Sequence, residues 1–213
     1  SAWLTTGSVA VLSSLVDSLL DAMASVVTLV AIQHSLQPAD HEHRFGHGKV
    51  EALAALAQSA FIVGSAVLLL FEAGARALDP RPIEKGEVGI YVMLFSIGLT
   101  ISLVMFQRWA IAKSGSVAIS ADSLHYQGDL LLNTAVIAAI LLVSELGWVM
   151  ADPIFGAGIA FYIIWSAYRI VRNSLDMLMD RELPDAEREK IRQIALKHEA
   201  VETVHDLRTR QSG

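Results

Sequence analysis

Two stretches of twenty residues, Ala52–Phe71 and Val88–Gln107, contain no charged side chain. A helix needs about 20 predominantly apolar residues to cross a hydrocarbon core of about 30 Å. Backbone polar groups in lipid must be satisfied within their own segment, so runs of this length fold as membrane helices. Composition agrees. Apolar residues make up 54% of the chain and charged residues 18%, against about 25% charged in soluble domains. Such hydrophobicity excludes intrinsic disorder. The lack of cysteine excludes a disulfide scaffold and thiolate metal or redox sites. A formal net charge of −6 offers no basic face for nucleic acid, so no nucleic-acid partner is expected.

Three more stretches complete the bundle. Pro153–Tyr168 is a shorter charge-free run, extended to Leu178 past Arg169 and Arg172, which can snorkel. Ser8–Ile32 and Val117–Ser144 are long enough to span but carry ionisable groups. These are Asp17 and Asp21 in the first, and Asp122, His125 and Asp129 in the second. The pattern predicts an all-α transmembrane helical bundle with helices over 8–34, 49–76, 87–112, 117–144 and 152–178. Residues 1–180 read as the transmembrane domain, with a lipid bilayer as its surroundings.

From Arg181 the composition turns charged. Pro184 opens an amphipathic helix over Asp185–Lys197, and Glu202–Arg210 alternates as a strand would. Residues 181–213 read as the beginning of a separate domain, since about thirty residues cannot bury a core alone. Basic residues in short connections mark the cytoplasmic side. Arg44, Lys49, Arg108, Lys113, Arg169, Arg172 and Arg181 fall on one side, against Arg76, Arg81 and Lys85 on the other. That places the C-terminal tail in the cytoplasm. Five spans then put Ser1 outside with no cleavable signal peptide, so a further helix is expected upstream and more of the tail domain downstream.

The intramembrane ions carry the chemistry. Asp17 and Asp21 stand four residues apart on one helix face, and His125 and Asp129 repeat the spacing on another helix. Each ionised group near mid-membrane costs about 2.5–3.5 kcal/mol. A shared divalent cation compensates all of them, and three oxygens with one nitrogen suit a tetrahedral site. Gly7-Ser8-Val9-Ala10 recurs as Gly115-Ser116-Val117-Ala118, and the same offset carries Asp17 onto His125 and Asp21 onto Asp129. Helices related this way and running in opposite directions point to an inverted repeat around a midplane site. The plainer alternative is interhelical hydrogen-bond glue. Asp122, Glu51 and Glu72 sit near helix ends, where acids serve the fold, and are not assigned as ligands.

A second cluster lies in the loop Asp40-His41-Glu42-His43-Arg44-Phe45-Gly46-His47-Gly48-Lys49. Asp40, His43 and His47 are spaced so that a compact loop can wrap one zinc ion, with Gly46 and Gly48 permitting tight turns. A solvated polar loop is the other reading. A metalloprotease is not expected, because His43 is followed by Arg44 where that motif requires a glutamate.

Together these residues resemble the cation diffusion facilitator family, close to its bacterial zinc and ferrous-iron exporters. The carrying motifs are Leu15-Val-Asp-Ser-Leu-Leu-Asp21, Asp122-Ser-Leu-His-Tyr-Gln-Gly-Asp129, Ser35-Leu-Gln-Pro-Ala-Asp40 with Phe45-Gly-His-Gly-Lys49, and His205-Asp-Leu-Arg-Thr-Arg210. The resemblance implies six membrane helices, five of them present here, followed by the start of an α+β ferredoxin-like cytoplasmic metal-binding domain. It implies a homodimer in the bacterial inner membrane. Asp17, Asp21, His125 and Asp129 match its transport site, and Asp40, His43 and His47 its loop metal site. His205 matches a ligand of the cytoplasmic zinc cluster, and the resemblance implies that Lys49 and Asp180 form an ion pair at helix ends, of a kind that can join protomers.

The implied function is exchange of Zn(II), or Fe(II) or Cd(II), for protons, with no organic cofactor and no enzymatic reaction. Metal binding needs ionised carboxylates and a neutral imidazole, so protonation expels the ion. Histidine is the residue type that titrates closest to neutrality, near 6.5. A nitrogen ligand disfavours magnesium and calcium. Two other readings stay open at this stage: a non-transporting membrane metal sensor or scaffold, and an intramembrane metalloenzyme. The last lacks a separate general base.

Overall fold

The computed structural model describes residues 9–79 and 87–211, giving helix backbone alone for 9–18, 20, 87–93 and 144. Helix α1 runs over Val9–Ser35, α2 over Lys49–Leu78, α3 over Glu87–Ser114, α4 over Val117–Leu146, α5 over Ala151–Leu178 and α6 over Asp185–Leu196. The described residues form no strand. Four segments are long and apolar enough to cross a membrane: α2, Leu94–Ser114 of α3, Val117–Val143 of α4, and α5. Helix α1, the remaining expected span, is 27 residues long.

Local chemistry sets the turn that positions α4. Gly115 at φ +68° closes α3 with its N–H on the Ile111 carbonyl at 2.7 Å. Ser116 then caps α4, its Oγ accepting the Ile119 N–H at 3.0 Å. A long-range acceptor joins it. The Glu51 carboxylate at the start of α2 takes the Ala118 N–H at 3.3 Å, so α2 and α4 begin at the same end of the bundle. That end also holds the 36–48 loop and the close of α5.

The most extensive interface joins α2 to α5. Lys49 meets Asp180 at 2.9 Å at one end, and Arg76 meets Asp152 at 2.8 Å at the other. The two helices are therefore antiparallel and clasped at both termini. Between the clasps the contact face is alanine: Ala52, Ala55, Ala160 and Ala167 are fully buried. Small residues let membrane helices approach closely, and packing there depends on van der Waals contact rather than on the hydrophobic effect. Ile62, Ile163 and Leu124 fill the space where α4 joins the pair. Large side chains point outward instead. Phe61, Phe71, Phe106, Phe161 and Trp165 are all more than 60% exposed, an apolar surface that suits lipid rather than water.

Gly128 of α4 faces Ile163 of α5. A Cβ there would meet Ile163 Cδ1 at 2.9 Å. The end of an isoleucine can swing away from a methyl group but not from a longer branch. Gly128→Ala is therefore tolerated, whereas Gly128→Leu lowers stability by about 1–3 kcal/mol, read as a drop in the melting temperature of the purified protein.

Beyond α5, helix α6 buries none of its residues. Of the expected α+β beginning, the helix is present, but Glu202–Arg210 forms no strand among the described residues. A strand exists only as part of a hydrogen-bonded ladder, and the described chain offers this segment no second strand. It is pinned by side chains instead. Thr209 Oγ1 accepts the Leu183 N–H at 3.1 Å, and the Arg210 guanidinium lies 3.5 Å from the Phe45 ring centroid.

Candidate metal centre

Two clusters of candidate ligands lie at different depths. The first is the loop between α1 and α2. Asp40 is its organiser: Oδ1 accepts the His43 N–H at 2.5 Å and the Glu42 N–H at 2.9 Å. Gly46 at φ +83° then folds the chain back, its N–H on the His43 carbonyl at 2.9 Å. As a result His43 Nδ1 and His47 Nε2 each lie 3.4 Å from an Asp40 oxygen. Among the described residues, Asp40, His43 and His47 form the one group of three whose donor atoms all lie within 4.8 Å of one another. The His47 side chain is only 5% exposed, and its Nδ1 is buried without a hydrogen-bond partner. The His43 N–H, ahead of an opposing desolvation, holds the Asp40 carboxyl below its ordinary value, and the Glu42 N–H and His43 imidazole add to it. A carboxylate and two imidazoles at these separations fit zinc or a similar borderline cation.

The second cluster lies between α1 and α4. His125 Nε2 is 3.0 Å from Asp21 Oδ1 and 3.6 Å from Asp129 Oδ2. The i,i+4 spacing places His125 and Asp129 on one face of α4, and α1 supplies Asp21 from the opposite direction. Nε2 is itself buried and makes no hydrogen bond of good geometry. One ring nitrogen facing two carboxylate oxygens can direct at most one proton, at one of them. The two carboxylates flank Nε2 without coming within 4.8 Å of each other, so a cation held by all three draws Asp21 and Asp129 together from either side. Asp21 and Asp129 keep 46% and 45% of their side-chain surface exposed. Asp17 lies on α1, and its side chain falls outside the described residues.

Neighbouring groups fix these ligands in place. Ser25 Oγ and the Tyr126 hydroxyl lie 3.2 Å apart across the α1–α4 interface, and the Tyr126 ring packs edge-on to His125 at 5.5 Å. Asp122 takes a hydrogen bond from Gln107 Nε2 at 2.8 Å, a tie between α3 and α4. Periodicity does not reveal Tyr126 or Gln107, because each is a single polar residue on an apolar helix. His34 is a further imidazole that no local motif marks. It sits in the last turn of α1, and its ring lies 4.9 Å from that of His47.

The remaining candidates differ in their surroundings. His205 is exposed and joins no such donor group among the described residues. Lys49 and Asp180 pair within the one chain, and Lys49 Nζ also donates to the Leu178 carbonyl at 3.3 Å. Asp180 holds a left-handed φ of 54° and has Arg210 at 3.7 Å. Both partners are more than a third exposed, so the pair contributes at most about 1 kcal/mol. Lys49→Glu lowers the melting point modestly, and adding Asp180→Lys restores part of it. Rescue stays incomplete because the Leu178 carbonyl loses its donor; no rescue at all would mean the charges do not interact.

Comparison with known proteins decides the family. Residues 1–179 match the cation efflux transmembrane domain, and residues 183–213 match the cation efflux protein cytoplasmic domain. The chain belongs to the cation efflux family. The cation-efflux pump FieF of Shewanella oneidensis is 49% identical over 212 residues, a match covering 100% of this chain and 71% of that protein. FieF of Citrobacter koseri is 49% identical and FieF of Salmonella arizonae 50%, each over 70% of its length. Cation efflux proteins of this kind are transporters rather than enzymes, and with four apolar spans this one is a membrane protein. In a cation efflux chain the metal ion is cargo.

Proposed function

We propose that this cation efflux protein exports Zn(II) from the cytoplasm in exchange for protons, by alternating access, with Fe(II) and Cd(II) as further candidate cargo. The observation that carries the reading is His125 Nε2, buried without a hydrogen-bond partner and flanked by Asp21 and Asp129 oxygens at 3.0 and 3.6 Å. Asp21, His125 and Asp129, with Asp17, hold the ion. The carboxylates must be ionised and the imidazole neutral to do so, and each is a proton acceptor once the ion has left. Protons arriving from the far side thus displace the metal and reset the site. The loop residues Asp40, His43 and His47 hold a second ion close to where the chain enters α2, and His205 belongs to a third site in the tail domain. The tail is assigned to the cytoplasm of a bacterial inner-membrane protein by its excess of flanking basic residues. The family's dimerising cytoplasmic domain supports a homodimer.

The test is metal uptake into inverted membrane vesicles with an acidic lumen. Uptake that collapses when the pH gradient is dissipated supports exchange. Uptake indifferent to the gradient overturns it, and binding without flux makes the protein a sensor.

The loop site has its own pH signature. A carboxyl held below its ordinary value contributes stability above the unfolded value of 3.8 and loses it as pH falls through the lowered one. Asp40 therefore stays ionised throughout the range between pH 7 and pH 5. Asp40→Asn weakens zinc binding throughout this range, read by competition titration of the purified protein, and an unchanged affinity would remove Asp40 from the site.

A further inference from the structure

A groove of about 490 Å³ runs between α3, α4 and α5 on the side away from the Asp21–His125–Asp129 cluster's α1 face. Its walls are apolar: Ile101, Val104 and Met105 on α3, Leu130 on α4, Ile159 and Tyr162 on α5. Ile101 and Arg108 bound its α3 wall, about 10 Å apart at 1.5 Å per residue. Arg108 stands at the end nearer the α3–α4 turn, beside Gln127.

Arg108 is the anomaly. It lies inside the apolar span Leu94–Ser114, on a surface where Met105, Phe106 and Trp109 are 67%, 63% and 60% exposed. Among the described residues its guanidinium meets the neutral Gln127 Oε1 at 3.3 Å and no carboxylate. An unneutralised cation in a membrane span is costly. Six residues from the end of α3, the side chain is within snorkelling reach of the headgroup layer, where phosphates lie. A cation at the polar mouth of an apolar slot between membrane helices matches a molecule with an anionic head and a hydrocarbon tail.

We propose that this groove binds an anionic phospholipid from the surrounding bilayer, its phosphate on Arg108 and an acyl chain along Ile101, Val104, Leu130 and Ile159. Charge complementarity selects the headgroup, and the open, apolar wall admits the chain laterally from the membrane. Basic pockets between membrane helices recognise such headgroups by the same chemistry. At about 490 Å³ the groove has room for one acyl chain, the rest of the lipid staying in the bilayer. Because α4 also carries His125 and Asp129, the bound lipid packs against the reverse face of a ligand-bearing helix.

Two variants test the two halves separately. Arg108→Gln keeps an amide partner for Gln127 but removes the charge. Gly158→Leu fills the groove itself, since a Cβ at Gly158 meets no atom within 4 Å. The measurement is native mass spectrometry of the full chain from nanodiscs holding equal phosphatidylglycerol and phosphatidylcholine. The unmodified protein retains phosphatidylglycerol about fivefold over phosphatidylcholine. Arg108→Gln abolishes that preference and Arg108→Lys keeps it, while Gly158→Leu lowers retention of both lipids. Equal retention of the two lipids by the unmodified chain overturns the proposal. So does a Gly158→Leu protein that carries as much lipid as the parent, and this variant decides alone if Arg108→Gln does not fold.

Discussion

Asp21→Ala and Asp129→Ala each reduce metal uptake into vesicles by on the order of a hundredfold or more, while leaving the protein as stable as its parent or more so. The two halves of this result come from different physics. Loss of an outer-shell partner of a metal ligand already costs about 10–100-fold, and a direct ligand costs at least as much. Stability moves the other way. An ionised carboxylate in a membrane span opposes insertion by about 2.5–3.5 kcal/mol, so its removal relieves the bundle. If these residues were instead hydrogen-bond glue between α1 and α4, each alanine would destabilise by roughly 0.6 kcal/mol or somewhat more. Flux would then fall only as far as folding did. Paired measurements of initial uptake rate and melting temperature separate the cases. Lost flux with an unchanged or raised melting point supports the ligand assignment; lost flux tracking a lowered melting point rejects it.

The parts of this molecule that could be read in advance are those written as periodicity. Charge-free runs such as Ala52–Phe71 declare a membrane helix by length alone. Two ionisable groups at i,i+4, as in His125 and Asp129, declare a shared face whatever the tertiary structure. The loop ligands Asp40, His43 and His47 are legible because they are local. Asp40 organises the turn through its own carboxylate and needs nothing distant. What escaped reading is made by contacts between segments far apart in sequence. The Arg210–Phe45 stack and the Arg210–Asp180 approach tie the tail to the metal loop through three unrelated stretches. The alternation of Glu202–Arg210 predicted a strand, but alternation specifies a pleated face only once a neighbouring strand supplies the ladder. Glu51 looked like an ordinary first-turn acid of α2, whereas its oxygen serves the start of α4. Arg108 is the sharpest case. The sequence reads it as a basic residue flanking the charge-free run Val88–Gln107, and the groove beside it requires three helices to be assembled.

Replacing the one nitrogen ligand tests the chemistry of selection rather than the existence of the site. His125→Asp keeps a donor at the same point on α4 but turns a mixed nitrogen and oxygen cluster into an all-oxygen one. Imidazole favours zinc and its transition-metal neighbours, whereas carboxylate oxygens suit manganese, magnesium and calcium. Transport therefore persists, but the preference for zinc over manganese falls by about tenfold or more, read from competition of each ion against labelled zinc uptake. The added negative charge has a second consequence. Three or four clustered carboxylates repel one another when no cation is bound, so the empty site of the variant is less stable than that of the parent. His125→Asn separates the contributions, because it supplies an oxygen or an amide without a charge and abolishes proton uptake at that position. If His125→Asp leaves the competition profile unchanged, His125 does not touch the ion, and its 3.0 Å approach to Asp21 is a structural ion pair. A profile that shifts toward manganese in the aspartate variant, with flux lost in the asparagine one, places both selectivity and proton coupling at this single side chain.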